Sequence, residues 1–340
     1  MKILLVCMRH DYGDPTRGHS YEYYNFFESL KDVGHNVDLF DYMEELKTLG
    51  KGPMNVALLE RVKLFQPDVA IFSLYTDQLL PETVLAIREY TKTLCFFHDD
   101  TWRREFSHFW APLFDHFTSS DFECQRKYLR LGLSGILHMP FGVNESLYRP
   151  MAVEKLYDVS FVGAWHPVRE WLIKRLRQAN IRVEVAGSGW PRGILTHADM
   201  VNFFNQSRIN LNLSNSSSWD MRCLLRSPRA LLNTMRSPKS VEQIKARHFE
   251  INACNAFQLS YYVDGLERCY VLGEEMGVYL DPDDLIDKVR YYLADDPLRE
   301  EIAGRGYRRT LAEHTYSSRF ARAFAAMGFA LSMIKPRALV

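Results

Sequence analysis

The 340-residue sequence lacks several features that mark specialised classes of protein. Its 42 Lys and Arg balance its 42 Asp and Glu, which argues against a general nucleic-acid binder because such proteins carry a basic excess. No apolar stretch reaches the roughly 18–20 residues that a membrane-spanning helix needs. The longest, 323–334, is interpreted as a packed amphipathic helix, with an interfacial membrane anchor as the alternative.

The cysteines also lack a pattern that would suggest disulfides or a metal site. The six residues are far apart, form no C-x-x-C pair, and several lie in apolar runs. We therefore expect buried thiols in a reducing, cytoplasmic compartment, with peripheral contact at the inner membrane face left open. The opening MKILLVCMRH is too short for a signal peptide and predicts a first buried strand.

What the sequence does contain is a repeated alternation of strand-like and helical runs. Apolar residues make up 47% and charged residues 25%, as in soluble globular proteins. The length exceeds the about 250–300 residues that one core usually fills, so two domains are predicted. Strands alternating with helices indicate parallel, doubly wound α/β sheets. A Pro- and Gly-containing connection sets the predicted domains at 1–150 and 151–315, and 214–239 is predicted to be irregular.

Ligands of such sheets gather at the carboxyl ends of the strands, where the first half carries polar loops. RHDYGDPTRGHSYEYYNFF follows the first strand, and Gly13 and Gly18 permit backbone angles that expose N–H groups to an oxygen-rich ligand. The loop contains no G-x-G-x-x-G. After the fourth strand, His98, Asp99 and Asp100 are adjacent. The carboxylates suit a general base or a hydroxyl acceptor, and capping of the next helix is an equally good interpretation.

The corresponding loops of the second half are rich in glycine. A strand ends at Gly163, the following loop contains Trp165, and Arg169 lies near the start of a helix. Backbone donors, a helix dipole and one cation suit a phosphate, while a surface arginine is the alternative. In VAGSGW, Gly187 and Gly189 end another strand. They allow either close approach of a ligand or a plain turn.

The stretch KARHFEINACNAFQLSYYVDGLE is the most informative. If a helix begins there, Arg247 and Glu250 are three residues apart and share a face. The carboxylate can accept two ribose hydroxyls while the guanidinium neutralises a diphosphate. An intrahelical ion pair is the alternative. Ala253, Cys254 and Ala256 would then permit tight packing behind them.

One acidic cluster looks superficially like a metal motif. Asp281, Asp283 and Asp284 lie around Pro282, which occupies the first position of a predicted helix. Acidic residues favour a helix N-terminus, so we predict that Asp281 caps this helix and that the cluster binds no metal.

These segments together resemble a known family. FEINACNAFQLSYYVDGLERCY, the region around YLDPDDLIDKVRYYLADDP, and PFGVNESLYRP resemble the C-terminal half of GT-B glycosyltransferases. YGDPTRGHSYEYYNFFESLKDVGHNVDLFDYM and FHDDTWRREF resemble the N-terminal half. The chain is most similar to spore-maturation CgeB-like proteins and to glycosyl transferases of group 1. The resemblance is collinear and implies two Rossmann-like doubly wound domains facing a central cleft, with the last helix, 316–340, returning to the first domain.

The resemblance also implies roles for individual residues. In retaining relatives, two glutamates with seven residues between them hold the donor, and here they correspond to Glu242 for the sugar and Glu250 for the ribose. Asn255 stands where many relatives have glycine, which implies a changed loop geometry. The predicted donor site comprises Gly163, Trp165, Arg169, Gly187, Gly189, Glu242, Arg247 and Glu250. The predicted acceptor site comprises Gly13, Arg17 and Tyr21, and the candidate catalytic bases are Asp14, His98, Asp99 and Asp100.

The implied activity is transfer of a sugar from a nucleoside-diphosphate sugar to a hydroxyl of a glycan, lipid-linked saccharide or protein. The C-terminal domain would bind the donor and the N-terminal domain the acceptor. No metal or cofactor is expected, since arginines and helix N-termini would stabilise the leaving group and the nucleotide sugar is a co-substrate. Two alternatives stay open: a nucleotide-sugar epimerase or hydrolase on the same fold, and a non-catalytic nucleotide- or carbohydrate-binding protein.

Overall fold

The computed structural model describes residues 1–213, 220–226, 228–236 and 242–330, and these form two compact units. Unit 1 contains residues 1–146 together with the segment that begins at Thr315, and unit 2 contains Leu147–His314. The change of unit after Ser146 falls in the connection that the sequence analysis used as a boundary. The binding roles given to the two domains stay predictions.

Unit 1 is built on a six-stranded parallel sheet in the order β2-β1-β3-β4-β5-β6. Its strands are β1 Lys2–Cys7, β2 Asn36–Asp41, β3 Val69–Ser73, β4 Lys92–Phe96, β5 His116–Ser119 and β6 Ile136–His138. Strands β1 and β3 are almost entirely buried, because helices cover both faces of a parallel sheet. The helices are α1 Glu28–Asp32, which continues a π-helical turn over Tyr23–Phe27, α2 Tyr42–Leu49, α3 Lys51–Phe65, α4 Pro81–Ile87, α5 Arg104–Trp110 and α6 Cys124–Leu129.

Unit 2 repeats this architecture with five parallel strands in the order β11-β10-β9-β7-β8. The strands are β7 Tyr157–Val162, β8 Val183–Ala186, β9 Ser207–Asn212, β10 Gln258–Tyr261 and β11 Gly277–Tyr279. The helices are α7 Pro167–Gln178, α8 His197–Asn205, α9 Met221–Arg226, α10 Pro228–Arg236, α11 Arg247–Ala253, α12 Pro282–Leu293 and α13 Asp296–Glu313. The prediction of two doubly wound α/β domains is therefore confirmed.

The last helix, α14 Tyr316–Ala326, packs within unit 1. Phe320 and Phe324 lie in the same apolar cluster as β1, β3 and β4 residues and are almost completely buried. The helical part of the segment 323–334 ends at Ala326, so the predicted helix 316–340 is too long: the described residues 327–330 are not helical, although Met327 is buried like Phe324. Residues 331–340 of the predicted helix lie outside the described residues.

The predicted cap of α12 and the predicted burial of the cysteines are confirmed. The side chain of Asp281 accepts the backbone N–H groups of Asp283 and Asp284, and Pro282 occupies the first position of α12. All six cysteines are free and buried. Within the part of the chain that the structure describes, no three metal-ligating side chains form a group suited to an ion. No helix among the described residues is long and apolar enough to cross a membrane.

The prediction that 214–239 is irregular is wrong for α9 and α10. Asp220 accepts the backbone N–H of Arg222 and so starts α9. Pro228 begins α10. Proline lacks an N–H group, but a residue at the first helical position donates no hydrogen bond within the helix, so nothing is lost there. Cys223 is fully buried in the main apolar cluster of unit 2, which anchors the first of these helices. Residues 214–219, 227 and 237–239 of the predicted segment lie outside the described residues.

In each sheet the chain reverses its winding direction beside the first strand. β1 lies between β2 and β3, and β7 lies between β8 and β9. At such a reversal, two neighbouring strands have connections that run to opposite sides of the reversal point. The loops after these two strands diverge and leave a crevice at the carboxyl ends of the strands. Sites are therefore expected after β1 and β3 in unit 1, and after β7 and β9 in unit 2.

We expect Phe324→Ala to lower the free energy of unfolding of unit 1 by about 3–5 kcal/mol, because it leaves a cavity beneath the sheet. Phe109→Ala is the matched control, since that ring is 57% exposed. Urea denaturation followed by tryptophan fluorescence measures both variants. Equal stability of the two proteins would contradict the packing of α14 against this core.

Candidate functional site

The buried carboxylate of Glu250 is the centre of the candidate site in unit 2. Glu250 lies in the first turn of α11 and is only 3% exposed. Tyr148 donates its hydroxyl to one carboxylate oxygen at 2.8 Å, and the Arg247 guanidinium lies 2.7 Å from the other. Each carboxylate oxygen can accept more than one hydrogen bond, so the group keeps capacity for a ligand hydroxyl. The predicted helix start, with Arg247 and Glu250 on one face, is confirmed.

Arg247 is fixed by more than its ion pair. Its guanidinium lies 5.1 Å from the centre of the Phe204 ring and contacts the Met200 sulfur at 3.0 Å. Its side chain is 24% exposed, so part of it faces solvent. The intrahelical ion pair is thus present, and the phosphate role of Arg247 stays a prediction.

The residues after this turn pack as the sequence analysis expected. Ala253, Cys254 and Ala256 are all buried. Asn255 has φ of 52°, in the left-handed region that glycine favours. Asparagine tolerates this conformation better than most side chains do. Asn255 therefore adopts a backbone conformation that suits glycine, and the implied change of loop geometry is absent from its φ angle.

Arg169 joins the two loops at the reversal point of unit 2. It donates to the Ala164 carbonyl after β7 at 2.8 Å and to the Leu213 carbonyl after β9 at 3.4 Å. Burial lowers the pKa of Arg169 to about 10, and the nearby Glu242 carboxylate opposes that shift. Arg169 nevertheless stays charged at neutral pH. Arg169 is thus a partly buried arginine held by the loops after β7 and β9, and its phosphate role stays a prediction.

Two buried donors at this edge have no hydrogen-bond partner among the described residues. They are Nε of Arg169 and Nδ2 of Asn212, the last residue of β9. Buried polar groups are normally hydrogen-bonded, so donors without a partner at the carboxyl ends of the strands suit an anionic or oxygen-rich ligand. Sequence reasoning missed Asn212, although its place at the end of the RINLNLS strand was the available signal.

Gly187 allows the loop after β8 to approach the loop after β7. A Cβ at Gly187 would lie 2.2 Å from the Gly163 carbonyl oxygen, and its φ is +130°. The Gly163 N–H donates to the Ala186 carbonyl at 2.9 Å, and the Trp190 indole donates to the Gly163 carbonyl at 2.9 Å. Gly187 thus supports packing between loops.

Gly189 and Trp165 extend the same contact. A Cβ at Gly189 would lie 2.7 Å from Trp165 Cβ. The Trp165 N–H donates to the Ser188 carbonyl at 2.7 Å. The loops after β7 and β8 are therefore held together by close contacts that only glycine permits. These contacts fix the position of the Ala164 loop, to which Arg169 donates a hydrogen bond.

Glu242 lies in the electrostatic surroundings of the same residues. The Glu242 carboxylate acts to raise the pKa of Arg169, of His248 and of Tyr261 at the end of β10. Burial lowers the pKa of His248 to about 4, so this imidazole is neutral at pH 7. The structure thus brings Glu242 near Arg169, and its role toward a sugar stays a prediction.

In unit 1, the structure places His98 in a cluster that sequence reasoning had only partly identified. Its Nε2 lies 2.9 Å from a carboxylate oxygen of Glu22 and 2.9 Å from the Ser73 hydroxyl. Glu22 comes from the first helical segment and Ser73 ends β3. Glu22 was not among the residues predicted for the site, although a lone acid within YEYYNFF was the available signal.

The two aspartates beside His98 have different surroundings. Asp100 is 4% exposed and accepts hydrogen bonds from the hydroxyls of Ser119 and Ser120. Burial raises its pKa. Asp100 therefore joins the loops after β4 and β5. Asp99 is half-buried, and its carbonyl accepts two backbone N–H groups of the next turn.

The remaining candidates lie in the loop after β1 and on the first helix. Asp14 is exposed and accepts the N–H and hydroxyl of Thr16, and these hydrogen bonds lower its pKa. Arg17 pairs with Asp11 at 2.7 Å. The Gly13 carbonyl accepts a hydrogen bond from the Lys47 ammonium group. The Tyr21 hydroxyl lies 2.8 Å from the Tyr316 hydroxyl in α14. Of these residues, Tyr21 packs against the His98 ring, with the ring centroids 5.7 Å apart, whereas the side chains of Asp14 and Arg17 bond to Thr16 and Asp11 of their own loop.

Comparison with known proteins shows similarity to glycosyltransferases in sequence and in fold. A family model described as glycosyl transferase-like matches residues 169–325. The chain is 24% identical over 207 residues to the spore protein CgeB of Bacillus subtilis, a match that covers 56% of this chain and 60% of CgeB. The chain thus spans about 60% of the length of this curated relative.

Solved structures share the fold over nearly the whole chain. Sucrose-phosphate synthase of Thermosynechococcus elongatus has a TM-score of 0.61 at 13% identity, covering 96% of this chain and 99% of its own. HepE of Anabaena, solved with UDP and glucose, gives 0.63 at 10% identity, with coverages of 96% and 99%. AviGT4, a glycosyltransferase involved in avilamycin A biosynthesis, gives 0.60 at 14% identity and covers 98% of both chains.

These comparisons, with the two parallel sheets, define the class: the chain has the GT-B fold of glycosyltransferases. The chain is also similar to the glycosyl transferase-like family model over residues 169–325 and to CgeB, in agreement with the resemblance found in the sequence.

We expect Gly187→Ala to destabilise unit 2 by at least about 2 kcal/mol more than Gly193→Ala does, because a methyl group at 187 meets the Gly163 carbonyl. Gly193 is the matched control, since its φ of +71° is also positive but its Cβ would meet nothing within 4 Å. Chemical denaturation measures the difference. Equal losses would show that backbone strain alone, and not the contact between the loops, requires glycine at 187.

Proposed function

We propose that the protein transfers a sugar from a nucleoside-diphosphate sugar to a hydroxyl acceptor. The observation that carries the proposal is the buried Glu250 carboxylate, which is held by Tyr148 and Arg247. Glu250 lies within residues 169–325, the region that the glycosyl transferase-like family model matches. An ionised carboxylate of fixed orientation can accept the two vicinal hydroxyls of a ribose. HepE, which shares the fold, was solved with UDP and with UDP-glucose, and this supports a nucleotide-sugar donor.

The diphosphate is assigned to the edge between β7 and β9. Arg169 supplies a charged guanidinium there, and its Nε and the Asn212 amide supply buried donors. Negative charge develops on the leaving diphosphate as the anomeric carbon–oxygen bond breaks. Fixed cations and donors in a buried site stabilise that charge, so we assign leaving-group stabilisation to Arg169 and Arg247 and propose that no divalent cation is required.

The acceptor is assigned to unit 1, with His98 as the group that contacts its reacting hydroxyl. Of the four candidate bases, Asp100 is committed to two serine hydroxyls and Asp14 to a turn. His98 combines partial exposure, at 22% of its side chain, with a buried carboxylate partner. That combination supports His98 over Asp14 and Asp100.

Thermal unfolding with UDP, GDP, dTDP and CMP, followed by incubation with sugars of the stabilising nucleotide in EDTA, tests the activity. We expect one nucleotide to raise the Tm and its sugar to appear on an added hydroxyl acceptor without divalent metal. Conversion of the donor without any acceptor would instead identify an epimerase or hydrolase. Stabilisation with an unchanged sugar across a broad acceptor panel would identify a binding protein.

We expect Glu250→Gln to weaken binding of that nucleotide by about 10- to 100-fold, because it replaces a charged acceptor of ribose hydroxyls by an amide. Isothermal titration with the nucleotide measures the change. Glu267→Gln is the control, since Glu267 is an exposed glutamate of the same unit. Unchanged affinity in folded Glu250→Gln protein would remove Glu250 from the donor site.

A further inference from the structure

Two exposed tyrosines lie together at the carboxyl ends of the unit 1 strands. Tyr12 belongs to the loop after β1 and is 54% exposed, and Tyr75 follows β3 and is 38% exposed. Their rings meet edge to face, with the centroids 5.6 Å apart. Because the winding of the sheet reverses beside β1 and β3, the pair borders the crevice that is expected there.

The backbone of Tyr12 has a conformation that bulky residues rarely adopt. Its φ of 52° lies in the left-handed region, where such residues concentrate at strained and functional positions. The surrounding loop enforces this conformation, since the Asp11 N–H donates to the Gly18 carbonyl at 3.1 Å and the Gly13 N–H donates to the His10 carbonyl at 2.8 Å. Because more than half of Tyr12 is exposed, packing in the core does not explain why a large ring is held there.

Charged side chains hold this pair of tyrosines in place. The Arg17 guanidinium lies 4.9 Å from the centre of the Tyr12 ring and pairs with Asp11 at 2.7 Å. Since Arg17 covers one face of the ring, the exposed area of Tyr12 lies mainly on the other face. Arg103 donates to the Tyr75 carbonyl at 2.9 Å, which fixes the second loop.

The Tyr12 hydroxyl also lies near acidic residues. Burial raises the pKa of this hydroxyl, Asp11, Tyr75 and Asp99 raise it further, and Arg17 opposes them. The neutral hydroxyl can both donate and accept a hydrogen bond. Because Asp99 belongs to the loop after β4, the loops after β1, β3 and β4 all contribute polar groups around the exposed rings.

We propose that Tyr12 and Tyr75 form a stacking surface for a pyranose ring, so that the acceptor of the transfer is a saccharide. A pyranose presents C–H groups on its face and hydroxyls around its rim. The negative face of an aromatic ring attracts such C–H groups, and charged side chains beside it suit the hydroxyls. A lipid chain offers no hydroxyls to these charged groups. The inference rests on the glycosyl transfer proposed above and narrows its acceptor from any hydroxyl to that of a sugar.

Saturation-transfer NMR on the full-length protein tests the stacking surface with maltotriose, cellotriose, xylotriose and chitotriose. We expect at least one trisaccharide to bind, with the strongest transfer to the C–H groups of one ring face. Tyr12→Asn removes the ring but keeps a residue that tolerates positive φ, so the loop still folds. We expect it to weaken binding by at least about 5-fold, because the stack is lost, whereas Tyr12→Phe keeps the affinity.

Tyr90→Asn is the matched control. Tyr90 is 53% exposed and has the Lys63 ammonium group 5.7 Å from its ring centre, so its surroundings resemble those of Tyr12, but it precedes β4 at the amino end of the sheet. We expect this variant to bind as wild type does. If Tyr12→Asn fails to fold, Tyr75→Ala replaces it with the same expected loss. No binding of any trisaccharide to wild type, or equal binding by wild type and the folded variant, would overturn the stacking surface.

Kinetics separate this inference from the proposed function. We expect Tyr12→Asn to lower kcat/KM for a saccharide acceptor by at least about 5-fold while nucleotide affinity is unchanged, since the donor site is assigned to unit 2. Transfer to an aliphatic alcohol or a peptide with equal kcat/KM in wild type and variant would overturn the saccharide assignment and leave the transferase activity standing. If wild type transfers no sugar, the proposed function fails, and the trisaccharide titration still decides the role of Tyr12.

Discussion

A buried negative charge sets the requirements for the candidate donor site. Removing an ionised carboxylate from water costs several kcal/mol unless cations and hydrogen-bond donors replace the lost solvent. Glu250 meets this requirement through Tyr148 at the beginning of unit 2 and Arg247 one helical turn earlier. Since both partners hold the same carboxylate, the start of α11 is tied to the segment that enters unit 2. The buried small residues behind it allow that close packing.

The second requirement is a rigid set of loops at the carboxyl ends of the strands, against which a charged ligand can bind. The loops after β7 and β8 approach so closely that Gly187 has no room for a side chain, and the Trp190 indole closes the contact. Arg169 then joins this pair of loops to the end of β9. A cation held by two backbone carbonyls, one after β7 and one after β9, needs little reorganisation when an anion binds, which is the property that favours transition-state stabilisation.

The sequence predicted the fold well because parallel strands buried on both faces appear as nearly continuous apolar runs. Arg247 and Glu250 were predicted together because their spacing places them on one helix face. Tyr148, Asn212 and Glu22 were missed because their significance depends on partners distant in sequence. Glu22 lies 51 residues from Ser73, and Tyr148 lies 102 residues from Glu250. The two helices α9 and α10 were missed because both are short and the sequence Ser227-Pro228 interrupts the apolar pattern between them.

A crystal structure with the nucleotide that stabilises the protein most tests the central claim directly, which is that the carboxyl edge of the unit 2 sheet binds the donor. The account predicts ribose hydroxyls within hydrogen-bond distance of Glu250 and phosphate oxygens within reach of Arg169. A nucleotide bound elsewhere, with the Glu250 carboxylate contacting only Tyr148 and Arg247, would contradict it.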